Sequence, residues 1–149
     1  MTTEKRAAAF DTFITPRHER IGTLPFVPAI KVRAGTDLVF VSGVLGGGDE
    51  MLPSGEPKPP GDIRIEAERV FTRIRDTLAL AGADLSDVVR ITKYMTDLDQ
   101  HGAVVEVMRK HFGMHLPTST TIEVRRLVPK GFGLEVDAIA AIPTRPSSD

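Results

Sequence analysis

Glu135, in Leu134-Glu135-Val136-Asp137-Ala138-Ile139-Ala140, is the residue of this 149-residue chain whose type and setting best suit acid–base chemistry. The segment reads as a β-strand. Residues two apart on a strand share a face, so Leu134, Val136, Ala138 and Ala140 lie on one side and Glu135, Asp137 and Ile139 on the other. A carboxylate fixed on such a strand can orient a water molecule and take its proton as the water adds to an electrophilic carbon. The plainer reading is an acid on a solvated sheet face, which antiparallel sheets often keep. A preceding strand is read over Pro117-Thr118-Ser119-Thr120-Thr121-Ile122-Glu123-Val124-Arg125-Arg126-Leu127, with Ser119 and Thr121 on one face. No local motif sets a histidine beside Ser42 or Ser119, so neither reads as an activated nucleophile.

Other chemistries find little support. Without cysteine there is no disulfide, thiolate nucleophile or cysteine-ligated metal. His18, His101, His111 and His115 lack a zinc-helix spacing and read as surface or capping residues, so no metal or other cofactor is expected. Gly46-Gly47-Gly48 is not followed by Lys-Ser or Lys-Thr and fails the phosphate-loop pattern. Lys and Arg total 19 against 20 Asp and Glu, with one tyrosine, so neither a basic groove nor stacking aromatics point to a nucleic-acid partner. No segment approaches the ~20 apolar residues that span a bilayer, and the N-terminus lacks a secretory signal, so a soluble cytoplasmic protein is expected.

The elements that must position these residues follow from periodicity. Strands are expected at Ala29 to Arg33 and Asp37 to Ser42, joined as a hairpin at Gly35-Thr36, and a long loop follows from Gly43 through Pro60. From Asp62, apolar residues Ala67, Val70, Phe71, Ile74, Leu78 and Ala81 recur at helical spacing until Gly82, while Arg64, Glu68, Arg69, Arg73, Arg75 and Asp76 form a solvated face. Val88 to Thr96 reads as a central strand. Asp97 caps a second helix carrying Val104, Met108 and Phe112, which Gly113 ends. With the two C-terminal strands this is β-β-α-β-α-β-β: an α+β domain over 1–142, two helices on one face of a mixed, mostly antiparallel sheet. The tail 143–149 is rich in proline and polar residues and is expected to be flexible.

The order of these pieces, with Pro25-Phe26, Leu38 to Gly43, the helix ending near Gly82, Asp87 to Leu98, Phe112 and the two closing strands, resembles the Rid family of YjgF-like enamine and imine deaminases. The resemblance implies a chorismate-mutase-like fold and a homotrimer built on a central β-barrel, with ligand clefts between subunits. It implies that Glu135 holds the attacking water and that Phe26, Ser42, Gly43, Ser119 and Thr121 line the site. It also exposes departures. The family's substrate-binding arginine falls at Ser119, a frequent cysteine falls at Thr121, and Val44 and Val105 stand where many members carry glutamine and asparagine. A hydroxyl cannot imitate a guanidinium fork, so turnover of ordinary 2-imino acids is placed in doubt. A substrate that depends less on a carboxylate is expected, unless Lys31, Arg33 or Lys93 supplies a cation across an interface. The functional expectation is a hydrolase acting on a small imine, enamine or related nitrogen compound. A non-catalytic trimer binding a metabolite in the same cleft is the alternative, with ribonuclease or translation inhibitor a third reading.

Overall fold

The computed structural model describes residues 9–21 and 24–144. The surface role expected of His18, and the tail from 145 onward, lie outside the described residues. The strands are β1 (Phe10–Phe13), β2 (Ala29–Val32), β3 (Thr36–Leu45), β4 (Val88–Met95), β5 (Thr118–Glu123) and β6 (Leu134–Pro143). The helices are α1 (Pro16–Ile21), α2 (Ile63–Leu80) and α3 (His101–Phe112), and short 3-10 turns at Leu85–Asp87 and Leu98–Gln100 flank β4.

The main sheet has the order β3-β6-β4-β5, with β6 antiparallel to both neighbours and β5 parallel to β4. α2 starts at Asp62, whose carboxylate accepts a hydrogen bond from Arg64 N at 2.8 Å, satisfying a backbone donor the first turn leaves open. Its stripe of Ala67, Val70, Phe71, Ile74 and Leu78 is fully buried, although Ala81 stays exposed. α3 adds Val104, Val107, Met108 and Phe112 to the same core, against Leu134, Val136, Ala138 and Ala140 of β6. Burying each large apolar side chain contributes about 1.5–3 kcal/mol, and this layer holds the two helices on the sheet. Gly113, at φ 60°, ends α3 with a backbone conformation other residues avoid.

The early strands exist, but they do not form the expected hairpin with each other. β2 pairs with β1, while β3 crosses to pair with β6 from Thr36↔Pro143 to Leu45↔Glu135. The reason lies on the uncovered side of the sheet. Phe10 and Ile30, carried by β1 and β2, pack with Ala9 against Val89, Ala141 and Ile139, a second small core that only a separate ribbon can supply. Gly35, at φ 72°, turns the chain from the ribbon into the sheet, and Thr36 Oγ1 closes the turn on Arg33 O at 2.7 Å. The first of the C-terminal strands is shorter than its apolar run. It parts from β4 at Glu123, because Met95 ends the partner strand. The second is longer: β6 reaches Pro143 and Thr144 N bonds Gly35 O at 3.0 Å, so the order extends into the expected tail.

One buried charge was not anticipated. Glu66, only 3% exposed on α2, accepts hydrogen bonds from Gly133 N and Leu134 N, at 2.9 and 3.0 Å for one carboxylate oxygen. Burial pushes its carboxyl above the usual range while the two backbone donors oppose that rise. The residue clamps the start of β6 to α2. Glu66→Ala is expected to lower the unfolding free energy by about 2–4 kcal/mol in chemical denaturation, since two buried N–H groups lose their acceptor, and Glu66→Gln is expected to cost less.

Candidate functional site

Strand alternation divides the polar residues between the two faces of the sheet. The pairings Ile91↔Ser119 and Ile91↔Ala138 put Ser119 on the helix-covered face, with Thr121 and Lys93 through Lys93↔Thr121. Glu135, three residues from Ala138, is on the opposite face, level with Tyr94 through Tyr94↔Glu135. The two residues expected to share a cleft are therefore back to back within one chain.

On the open face, Glu135 is half-buried beside an irregularity in β3. Val41 pairs with Ala138 and Val44 with Val136, so three steps along β3 oppose two along β6 and the strand bulges at Ser42-Gly43. The Glu135 carboxylate lies against Gly43, where any side chain would overlap it. The bulge thus sets Gly43, with Ser42 before it, beside Glu135. A shallow recess joins Phe40, Ser42 and Gly43 to Asp137 and Ile139. Tyr94 donates its phenol to Asp137 Oδ2 at 3.0 Å, and that bond, with burial, raises the phenol's pKa.

The helix-covered face holds a cluster around Lys93, one of the three cations the sequence offered in place of the arginine. Lys93 is 1% exposed, and its ammonium donates to Ser119 Oγ at 2.9 Å, with Met108 Sδ at 4.0 Å. Within the chain, its contact is with Ser119, the residue at the arginine position. Among the described residues no carboxylate lies within ion-pair distance of it, and burial alone lowers its pKa from 10.5 to about 8. Thr121 Oγ1 bonds His101 Nε2 at 3.2 Å, and burial together with the Lys93 charge holds that imidazole below its usual pKa. Hydrophobic runs hid this cluster: a lysine inside Val88 to Met95 reads as a strand residue of either face until register is known.

Phe26 is half-buried, in a segment whose Val27 N bonds Pro117 O at 3.2 Å just before β5. Val44 packs on the main core, and Val105 is half-buried on α3. The glycine run serves packing. A side chain at Gly46 would run into the Glu66 backbone, and Arg73 donates to the carbonyls of Leu45 and Gly47 from the helix face expected to be free in solvent. The described histidines have separate partners: His111 bonds Glu68 at 2.7 Å and His115 bonds Val88 O at 2.8 Å. No helix among the described residues is long and apolar enough to cross a membrane.

A two-helix α+β domain of this topology, with polar groups on both faces of its β4-β5-β6 edge, has close counterparts among solved structures. A putative endoribonuclease from Thermotoga maritima is 34% identical with a TM-score of 0.62, covering 73% of this chain and 81% of that one. A member of the YjgF/YER057c/UK114 family from Mycobacterium tuberculosis is 28% identical with a TM-score of 0.60, covering 89% and 99%. Residues 18–142 match the family described as Endoribonuclease L-PSP, and the chain belongs to it, the family of the YjgF, RutC and Rid proteins. Its relatives include protein DfrA of Myxococcus xanthus, 36% identical over 116 residues, or 78% of this chain and 84% of that one. They also include the 2-iminobutanoate/2-iminopropanoate deaminase of Rattus norvegicus, 33% identical over 102 residues, covering 68% and 71%. The Rid resemblance and the α+β architecture are both borne out.

Lys93 sets a testable pH dependence. Its folded pKa is about 8 and its unfolded value 10.5, so the unfolded chain binds more protons between those limits and stability rises with pH across them. Below pH 8 the buried charge opposes folding. Lys93→Met is expected to raise the unfolding free energy by about 1–3 kcal/mol at pH 7 and to flatten the rise between pH 8 and 10.5 in denaturation curves.

Proposed function

We propose that this chain is a Rid-type hydrolase that deaminates a small imine or enamine in a cleft between the subunits of a homotrimer. The observation that carries the reading is the Glu135 carboxylate, carried on β6 between β3 and β4 and seated against Gly43 at the β3 bulge. A water hydrogen-bonded to that carboxylate adds to the imine carbon while Glu135 takes its proton. Glu135 hands that proton to nitrogen, giving a neutral carbinolamine, and then takes the carbinolamine hydroxyl proton and passes it to nitrogen as the C–N bond breaks, releasing ammonia and a carbonyl compound. An enamine enters the same route after tautomerising to the imine.

The assembly follows from the uncovered sheet face. Leu38, Phe40 and Ile122 stand on it 49%, 71% and 43% exposed, apolar surface that an isolated subunit leaves in water. Since Glu135 and Ser119 are on opposite faces of one chain, a cleft holding both requires two chains. Ser119 in the arginine position favours a second reading, a trimer that binds a metabolite without turning it over. The near-neutral charge gives the ribonuclease reading less support.

Two measurements test these points. Glu135→Gln is expected to lower kcat for ammonia release at least about 100-fold while leaving the melting temperature unchanged, and Gly43→Ala, which evicts the carboxylate from its seat, is expected to lower it at least about tenfold. If both variants match the wild type, the hydrolase reading fails. In light scattering the wild type is expected at three times the chain mass, with Phe40→Glu shifting it towards the monomer and abolishing turnover.

A further inference from the structure

We propose that Lys93, with Ser119 and Thr121 beside it, forms a binding site for the carboxylate of a small organic acid, and, resting on the deaminase reading above, that this is the substrate's anion subsite. An ammonium has three hydrogens to donate, and here one goes to Ser119 Oγ at 2.9 Å while the Met108 sulfur at 4.0 Å is a weak acceptor. A buried cation left this incompletely satisfied, with no described carboxylate within ion-pair distance, opposes folding and calls for an anion from outside the chain. The surroundings suit one. Ser119, while accepting from Lys93, keeps its own hydrogen to donate, and Thr121 presents a second hydroxyl on the same face of β5.

Among the described residues β5 pairs only with β4, so it is the edge of the sheet in this chain, and Ser119 and Thr121 are half-buried on it beside the buried Lys93. A ligand approaching that edge meets hydroxyls first and the ammonium second. The charge available is one positive unit, because His101, bonded to Thr121, is held towards its neutral form by burial and by Lys93 itself. One cation flanked by hydroxyls matches a monoanionic carboxylate better than a dianionic phosphate. On this assignment Lys93 supplies the cation that Ser119 lacks, from β4 instead of β5, and a substrate less dependent on its carboxylate is no longer required.

Calorimetric titration of the full-length protein with 2-oxobutanoate, its methyl ester and inorganic phosphate tests the assignment. The acid is expected to bind at least about tenfold more tightly than the ester and phosphate. Lys93→Met is expected to bring the acid's affinity down to that of the ester, and Lys93→Gln, which keeps a hydrogen-bond donor without the charge, is expected to do the same. Equal affinity for acid and ester in the wild type, a preference for phosphate, no measurable binding of the acid, or retained preference in both variants would overturn it. These are equilibrium measurements, so they separate the two ideas. Carboxylate preference without ammonia release sinks only the deaminase reading; ammonia release from imines without carboxylate preference sinks only the Lys93 assignment.

Discussion

Everything in this fold depends on the alternation along β6, a strand hydrogen-bonded on both edges. Its even-numbered residues Leu134, Val136, Ala138 and Ala140 receive the two helices, and that buried layer holds the domain together. Its odd-numbered residues Glu135 and Asp137 are thereby fixed on the other face. Sliding the strand by one residue would bury the acids and expose the core, so register carries a large penalty for error. Glu66 adds a pin at the start of the strand, and the β3 bulge a second along its length. A carboxylate on such a strand is held in place without needing partners of its own.

The second economy of the structure concerns charge. The main core accepts Lys93 among Met108, Ile91 and Met95, an ammonium where an aliphatic side chain would pack at lower cost. A buried group so perturbed and without a charge partner is a candidate for binding or catalysis. Glu66 is a contrast: equally buried, it is matched by two backbone N–H groups and works as a structural clamp. Burial alone does not mark a functional residue. Incomplete satisfaction, beside half-buried hydroxyls at a sheet edge, separates Lys93 from Glu66.

Much of the domain was legible in the sequence because its elements obey single periods. α2 and α3 show a clear apolar stripe ended by glycine, and β6 alternates without interruption, so Glu135 was assigned its face correctly. Pairing was less legible, since an adjacent pair of strands with a glycine turn looks the same whether it closes on itself or, as here, parts into two sheets. The bulge at Ser42-Gly43 shifts the parity of β3, and no alternation count across it could predict which face Val44 takes. Lys93 was offered as a cation, but its place beside Ser119 was hidden for a related reason. Ser119 is 26 residues away in the chain, and only the parallel β4-β5 register brings the two side chains together. Glu66 fell on the helix face read as apolar, and its acceptor role appears only once Gly133 and Leu134 are placed beside it.

On the proposed assignment, the replacement of a fork by a point has its own consequence at this edge. A guanidinium fixes both the distance and the plane of a carboxylate, whereas an ammonium fixes distance and leaves the ligand free to pivot. With Lys93 recessed behind Ser119 and Thr121, the anchored end of a ligand would be held at a depth, not at an angle. Discrimination among ligands would then fall to whatever walls limit the swing of the far end, and the chain would tolerate variety in shape more readily than variety in length.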